Sequence, residues 1–119
     1  MQLTLLKSKI HRATVTDADL DYEGSISICP ELIKKAQLVL FEKVDIYNVN
    51  NGARFHTYVI LGKKGEICLN GAAARHVQKK DVVIIACYAQ YEEKEVKKHK
   101  PVCVFVDKNN KVKEVRSHG

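Results

Sequence analysis

Apolar and polar residues alternate along most of this chain with a period of two, the pattern of half-buried strands. The alternation is cleanest over Val44-Asp45-Ile46-Tyr47-Asn48-Val49. Asn50-Asn51-Gly52 follows, and Asn-Gly is a strong hairpin signal, so Arg54 to Leu61 reads as the return strand. Leu3 to Leu6 predicts a first strand, with Lys7, Lys9 and His11 recurring at period two behind it and β-branched Thr14-Val15-Thr16 beyond. Asp17 to Asp21 reads as a loop or a helical turn leading to Gly24-Ser25. Ile26 and Ile28 flank Ser27, so Ser25 opens a strand.

Pro30 suits the first position of a helix, with Glu31 in its first turn and an apolar face of Leu32, Ile33 and Ala36; the helix ends near Gln37. Gly62 to Gly65 makes a turn into a strand at Glu66 to Leu69, and Asn70 to His76 is a small-residue turn running into a helical segment. The continuous apolar run Val82 to Tyr88 predicts a strand buried on both faces. Glu92 to His99 reads as one or two charged helical turns stopped by Pro101, Val102 to Val106 as a strand, and Lys111 to Val115 as a weaker one after a turn at Asp107 to Asn110. The tail from Arg116 to Gly119 is expected to fray. About seven short strands with two or three helical pieces predict an all-β fold, a small closed barrel, with an open α+β sheet as the alternative. Strands apolar on both faces and few aromatics point to interfaces between copies.

Composition narrows this picture. A single domain of 119 residues, 45% hydrophobic and 29% charged, buries about two-thirds of its unfolded surface and folds without staples. No apolar run is long enough to cross a bilayer and Met1-Gln2-Leu3-Thr4 is no signal segment, so a cytoplasmic chain is expected. Cys29, Cys68, Cys87 and Cys103 are widely spaced, which argues for reduced, buried thiols rather than a metal site. The net charge of +6 is spread over lysine pairs. It suits a solvated surface that also draws in a dianionic substrate. A basic barrel binding nucleic acid is the competing class; against it, there is no tryptophan, and the tyrosines and phenylalanines do not interleave with cations as stacking platforms.

The chemistry-bearing residues cluster in a few stretches. In Tyr22-Glu23-Gly24-Ser25 the hydroxyl of Ser25 can attack the Gly24 carbonyl if the turn is strained, and glycine leaves that carbonyl uncrowded. The peptide becomes an ester; elimination releases the upstream acid and leaves dehydroalanine, and hydrolysis with loss of ammonia leaves a chain-derived pyruvoyl ketone. A self-cleaving hydrolase with Ser25 as a free N-terminal nucleophile is the alternative outcome. Arg54, just past the hairpin, is able to grip a carboxylate bidentately, or sits in a surface ion pair. Tyr58 is a candidate general acid or a half-buried strand tyrosine. Thr57 is a candidate for polarising the carbonyl that Ser25 attacks. A regular strand points Thr57 and Tyr58 to opposite faces, so both serve one site only across a bulge or a subunit interface. Asn70-Gly71-Ala72-Ala73 offers unobstructed backbone N–H groups to an anion.

Taken together, Lys7-Ser8-Lys9-Ile10-His11-Arg12-Ala13, Tyr22-Glu23-Gly24-Ser25, Asn51 to Tyr58 and Asn70-Gly71-Ala72-Ala73-Ala74 resemble the pyruvoyl-dependent L-aspartate α-decarboxylase family, in order from about Lys7 to Tyr88. The resemblance implies a double-psi β-barrel and a homotetramer with active sites between subunits. It implies self-cleavage between Gly24 and Ser25 into a 1–24 β chain and a 25–119 α chain, with a pyruvoyl cofactor made from Ser25 and a maturation partner protein as a possible addition. Its reaction is decarboxylation of L-aspartate to β-alanine for pantothenate synthesis. By the same resemblance Tyr58 is the proton donor, Thr57 assists processing, and Lys9 and Arg54 bind substrate carboxylate. Asn70, Gly71, Ala72 and Ala73 then line the pocket, and Tyr22 and Tyr47 wall it. Tyr47 departs from relatives that carry tryptophan there, but keeps an aromatic wall. The region from Glu92 to Gly119 carries little family signal.

Overall fold

A computed structural model describes residues 1–117. Among these residues nine strands form one mixed sheet: β1 Gln2–Thr14, β2 Asp17–Asp19, β3 Ser25–Ile28, β4 Lys43–Asn48, β5 Arg54–Leu61, β6 Ile67–Asn70, β7 Val82–Glu92, β8 Val102–Val106 and β9 Val112–Ser117. They lie in the order β2-β6-β3-β5-β4-β7-β1-β8-β9. Two short helices, α1 Pro30–Lys35 and α2 Glu93–Val96, and a 3-10 helix at Gly71–His76 fill the connections. The fold is all-β, as the alternation predicts, and the open α+β alternative falls away.

The sheet closes through the chain itself. Only Val15 and Thr16 separate β1 from β2. The Val15 N–H donates to the Asp81 carbonyl and its own carbonyl accepts from Lys80, at the head of β7. The Thr16 N–H donates to Ile67 of β6 at 2.8 Å, and its hydroxyl accepts the Ile67 N–H. One run of backbone thus joins β7 on one side to β6 on the other, making a ring of β1/β2, β6, β3, β5, β4 and β7. Inside it pack Ile10, Ile26, Val44, Ile46, Val59, Leu69 and Ile85, all essentially without exposed surface. Fully burying aliphatic side chains contributes about 1.5–3 kcal/mol each, which makes this cluster the main stabilising element.

Four expectations need correcting. Asp17–Asp19 is a strand, not a loop or helical turn, because its backbone pairs in parallel with Cys68 to Asn70. β1 runs on from the apolar stretch Leu3 to Leu6 as far as Thr14, paired antiparallel with β7 along its length and parallel with β8 over Ser8 to His11. Its β7 register shifts at Leu6/Ser8 and Ile10/Ala13, while half-buried Lys7, Lys9 and His11 alternate with buried Ser8 and Ile10. The strand at Val82 continues to Glu92, since its far half pairs with Gln2 to Leu6, and the charged helix after it is only Glu93–Val96. Arg116 and Ser117 belong to β9 rather than to a frayed tail, held by Cys103 and Val102 across the ladder; His118 and Gly119 lie outside the described residues. Along β7, Val83, Ile85, Ala86 and Cys87 are buried while Val82 and Ile84 are half-buried in the single chain. All four cysteines are buried and free. Among the described residues no helix is long and apolar enough to cross a membrane.

Candidate active site

Ser25 opens β3 between two neighbours, β6 antiparallel on one side and β5 parallel on the other. Pairing of Ser25 with Asn70, and of Ser27 with Cys68, places these four side chains on one side of the sheet, away from Ile26 and Leu69 in the core. All four are buried, Ser25 to 1% exposure. The Ser25 hydroxyl donates to the Glu23 carbonyl at 2.9 Å, which folds it back over the peptide preceding it. Its oxygen accepts an N–H from Asn70 Nδ2 at 3.0 Å.

Gly24 and Gly71 meet at the same point. Gly71 sits at φ +65°, in the left-handed region that glycine favours, and a Cβ on it would lie 2.6 Å from the Gly24 nitrogen and 2.7 Å from its Cα. Gly24 itself has open space around its Cα. The turn read as an anion cradle is therefore first a packing surface: Gly71 lets the 3-10 helix lie directly on the backbone next to Ser25. Asn70, Gly71, Ala73 and Ala74 are buried and Ala72 is exposed. Tyr22 leads into the junction and is 56% exposed.

Tyr58 shares the Ser25 side of the sheet. Ile60 pairs with Ser27, and alternation puts Tyr58 with Ile60 and Ser25 with Ser27. Thr57 falls on the other face with Val59. The β4–β5 register runs unbroken from Lys43↔Tyr58 to Tyr47↔Arg54, so no bulge turns both residues to one side of the chain. Tyr58 packs beside Phe41, ring centroids 6.2 Å apart, and Phe41 is 73% exposed at φ 71°.

A second cluster lies farther along the outer surface. The Arg54 guanidinium stacks over the Tyr47 ring at 4.0 Å, on the β4 side of β5 and away from β3. The Tyr47 hydroxyl meets that of Tyr88 on β7 at 2.9 Å. Burial, the bond to Tyr88 and the Tyr88 and Asp45 charges push Tyr47 up to about 12, so it remains a neutral phenol under a cation. Asp45, Tyr47, Arg54, Phe55 and His56 line a groove of about 260 Å³ here. Larger hollows, about 510 Å³ beside Cys29 and about 560 Å³ beside His11, do not contain Ser25.

The cationic stripe on β1 is reduced to one member. Lys7 pairs with Glu42 at 2.8 Å. Burial, then Lys9 and Arg12, lower His11, which favours its neutral form. Among the described residues no ion pair involves Lys9. Lys9 lies on β1, with β7, β4 and β5 between it and β3 in the strand order, and among the described residues no hydrogen bond or ion pair ties it to Ser25 or Asn70. Arg54 is four residues from Tyr58, about 13 Å along one strand. One chain therefore gathers Gly24, Ser25, Asn70, Gly71 and Tyr58, and separately Arg54 and Tyr47, but not the two groups together. Sequence reasoning missed Ser27, Cys68 and Tyr88; their partners depend on cross-strand register, and the chain carries no local signal of it.

A family profile for aspartate decarboxylase matches residues 1–113. A curated aspartate 1-decarboxylase from Bdellovibrio bacteriovorus is 67% identical over 116 residues, covering 98% of this chain and 94% of that one. Another from Syntrophus aciditrophicus is 64% identical, covering 95% of this chain and 99% of its own, and one from Clostridium kluyveri is 52% identical over 99% and 94%.

Proposed function

The chain belongs to the aspartate decarboxylase family, and on that premise we propose that it converts L-aspartate to β-alanine and CO2 with a pyruvoyl group made from Ser25. The single observation that carries the cofactor reading is the hydroxyl of Ser25, buried and folded back on the residue pair before it, beside a glycine pair that leaves no side chain in the way. The residues present fit the group. Gly24 has no Cβ to crowd its carbonyl, and Asn70 Nδ2 donates to the Ser25 hydroxyl oxygen that would attack it. The ketone supplies an electron sink for the pair left by departing CO2, which an amino acid alone lacks.

The chain's own groups do the rest. Arg54 holds the substrate carboxylate that stays, because clamping the one that leaves would stabilise the charged ground state and oppose its loss. Its stack on Tyr47 fixes the plane of the guanidinium and leaves its N–H edge for two parallel hydrogen bonds. Lys9 adds positive charge on the approach. Tyr58 delivers the proton to the carbon from which CO2 departs. The separation of the Arg54 and Lys9 face from Ser25 within one chain supports a site completed by a second copy, in a homotetramer. Exposed Phe41, packed beside Tyr58, fits such a contact, as do exposed Val39 and Leu61. Thr57, half-buried on the Val59 face of β5, keeps an assisting role in cleavage on the strength of the family resemblance. We place the reaction in the cytoplasm, with cleavage between residues 24 and 25 and a maturation partner as an optional addition.

Intact-mass analysis of the purified chain tests this. The wild type should give a 1–24 fragment and a 25–119 fragment lighter than its serine-terminated form by one ammonia, the hydroxyl oxygen leaving in the carboxyl of residue 24 and the ketone oxygen coming from water. Ser25→Ala should stay a single chain with no β-alanine formed; an active Ser25→Ala protein sinks the reading. Tyr58→Phe should mature normally but turn over roughly 10²–10⁴-fold more slowly. Normal turnover in that variant would remove Tyr58 as proton donor.

A further inference from the structure

The hydroxyl destined for cleavage is held by a carboxamide whose own orientation is set from behind. Asn70 is fixed at the backbone between two strands, paired with Asp19 of β2 and with Ser25 of β3. Its Nδ2 donates one hydrogen to Ser25 Oγ and the other to Ser27 Oγ, both at 3.0 Å. Its Oδ1 accepts the Cys68 S–H at 3.2 Å. We propose that Cys68 and Ser27 are positioning residues for chain maturation, locking the Asn70 carboxamide with its amine edge on Ser25. This rests on the pyruvoyl reading above.

The argument turns on which way the amide faces. A thiol is a weak donor and a weaker acceptor, so it prefers the carbonyl oxygen of Asn70 to the amine. Rotated by half a turn, the amide would set Nδ2 against sulfur and present Oδ1 to both hydroxyls. Ser25 would then give its proton to Oδ1 instead of Glu23 and receive no hydrogen bond. In the observed orientation the Ser25 proton goes to the Glu23 carbonyl, one lone pair takes the Asn70 N–H, and the other is free. The N–H fixes the hydroxyl oxygen in place and eases loss of its proton, since a donor holds a charged oxygen more strongly than a neutral one. Burial, with Glu66, Asp17 and Asp19 nearby, pushes the Cys68 thiol up to about 11, so it keeps its hydrogen at neutral pH. In the step served, the bond from Ser25 Oγ to the Gly24 carbonyl carbon forms and the Gly24–Ser25 C–N bond breaks. The hydroxyl proton ends on the released Ser25 amine, so the step is an isomerisation that needs no other reagent.

The test follows conversion of freshly synthesised full-length chain by intact mass, with the melting midpoint as a check on folding. Cys68→Val keeps the side chain's size and removes its hydrogen; it should slow conversion about tenfold, the effect of leaving one buried acceptor unmet. Cys68→Ser restores a donor and should recover the rate to within about threefold. Ser27→Ala, an independent arm if the valine variant does not fold, should slow conversion about three- to tenfold. Wild-type rates in Cys68→Val or Ser27→Ala overturn the proposal, as does equal slowing in Cys68→Val and Cys68→Ser, which marks a packing role. A wild-type chain that never converts defeats the reading of Ser25 itself, a separate failure.

Discussion

The junction at Ser25 and the face at Arg54 are built on opposite principles. Around Ser25 the polar atoms are buried and each meets a partner in the same chain: the hydroxyl meets Glu23 and Asn70, and the carboxamide meets Ser27 and Cys68. Around Arg54 the groups are exposed or half-buried, stacked on one another and open on one side. The difference matches what each has to do. Under the proposed function, cleavage would happen once, on atoms already in the chain, and a prebuilt, sealed geometry suits it. Turnover requires a ligand to enter and leave, which suits recognising groups that stay accessible and that a second copy would complete.

The hardest way to break the first region is Gly71→Ala. The new methyl lies 2.6 Å from the Gly24 nitrogen, an approach that real Cβ atoms do not make, at a φ of +65°. The left-handed backbone alone costs about 1–2 kcal/mol for a residue with a Cβ. Relief of the clash then moves the carbonyl that Ser25 must reach. Precursor should accumulate, with conversion slowed on the order of 10²-fold or more, since small misplacements of reacting groups carry penalties of that size. Gel or mass analysis over time reads the effect; wild-type conversion would mean that the junction tolerates displacement.

What was legible in the chain follows from the range of the interactions. The β4–β5 hairpin announces itself because alternation and Asn51-Gly52 turn chemistry are local, and the opposed faces of Thr57 and Tyr58 follow from strand geometry alone. The motif at Gly24-Ser25 was visible as a chemical option. A closed barrel was expected, but not the segment that closes it, because Asp17–Asp19 has no apolar alternation and becomes a strand only through backbone pairing with β6. The same holds for Ser27 and Cys68, ordinary residues that acquire roles from register. Lys7 and His11 looked equivalent to Lys9, yet Glu42 and burial take up their charge, consequences of contacts 35 residues away in one case and of packing in the other.

Breaking the second region should leave the first intact. Arg54→Ala removes the guanidinium that stacks on Tyr47. Hydrogen bonds to a charged group are worth about 1.5–3 kcal/mol, so kcat/KM should fall roughly 10–150-fold, mostly through KM. Conversion at residues 24 and 25 should proceed at the wild-type rate. A variant that is processed slowly but binds aspartate normally would reverse the assignment of the two regions.

The smallest change sharpens the comparison instead of breaking it. Tyr88→Phe deletes one hydroxyl and leaves Tyr47 under Arg54 without its 2.9 Å partner. A neutral hydrogen bond contributes about 0.5–1.5 kcal/mol, which corresponds to a two- to tenfold loss in kcat/KM. If Tyr88 acts only by steadying the ring that carries Arg54, the loss should vanish in an Arg54→Ala background, where the ring has nothing left to position. Steady-state kinetics on the two single variants and the double variant measure that coupling directly. Equal losses in both backgrounds would show that Tyr88 acts independently of Arg54. A loss that disappears would show that the open face, like the sealed junction, depends on residues that never touch the reacting atoms.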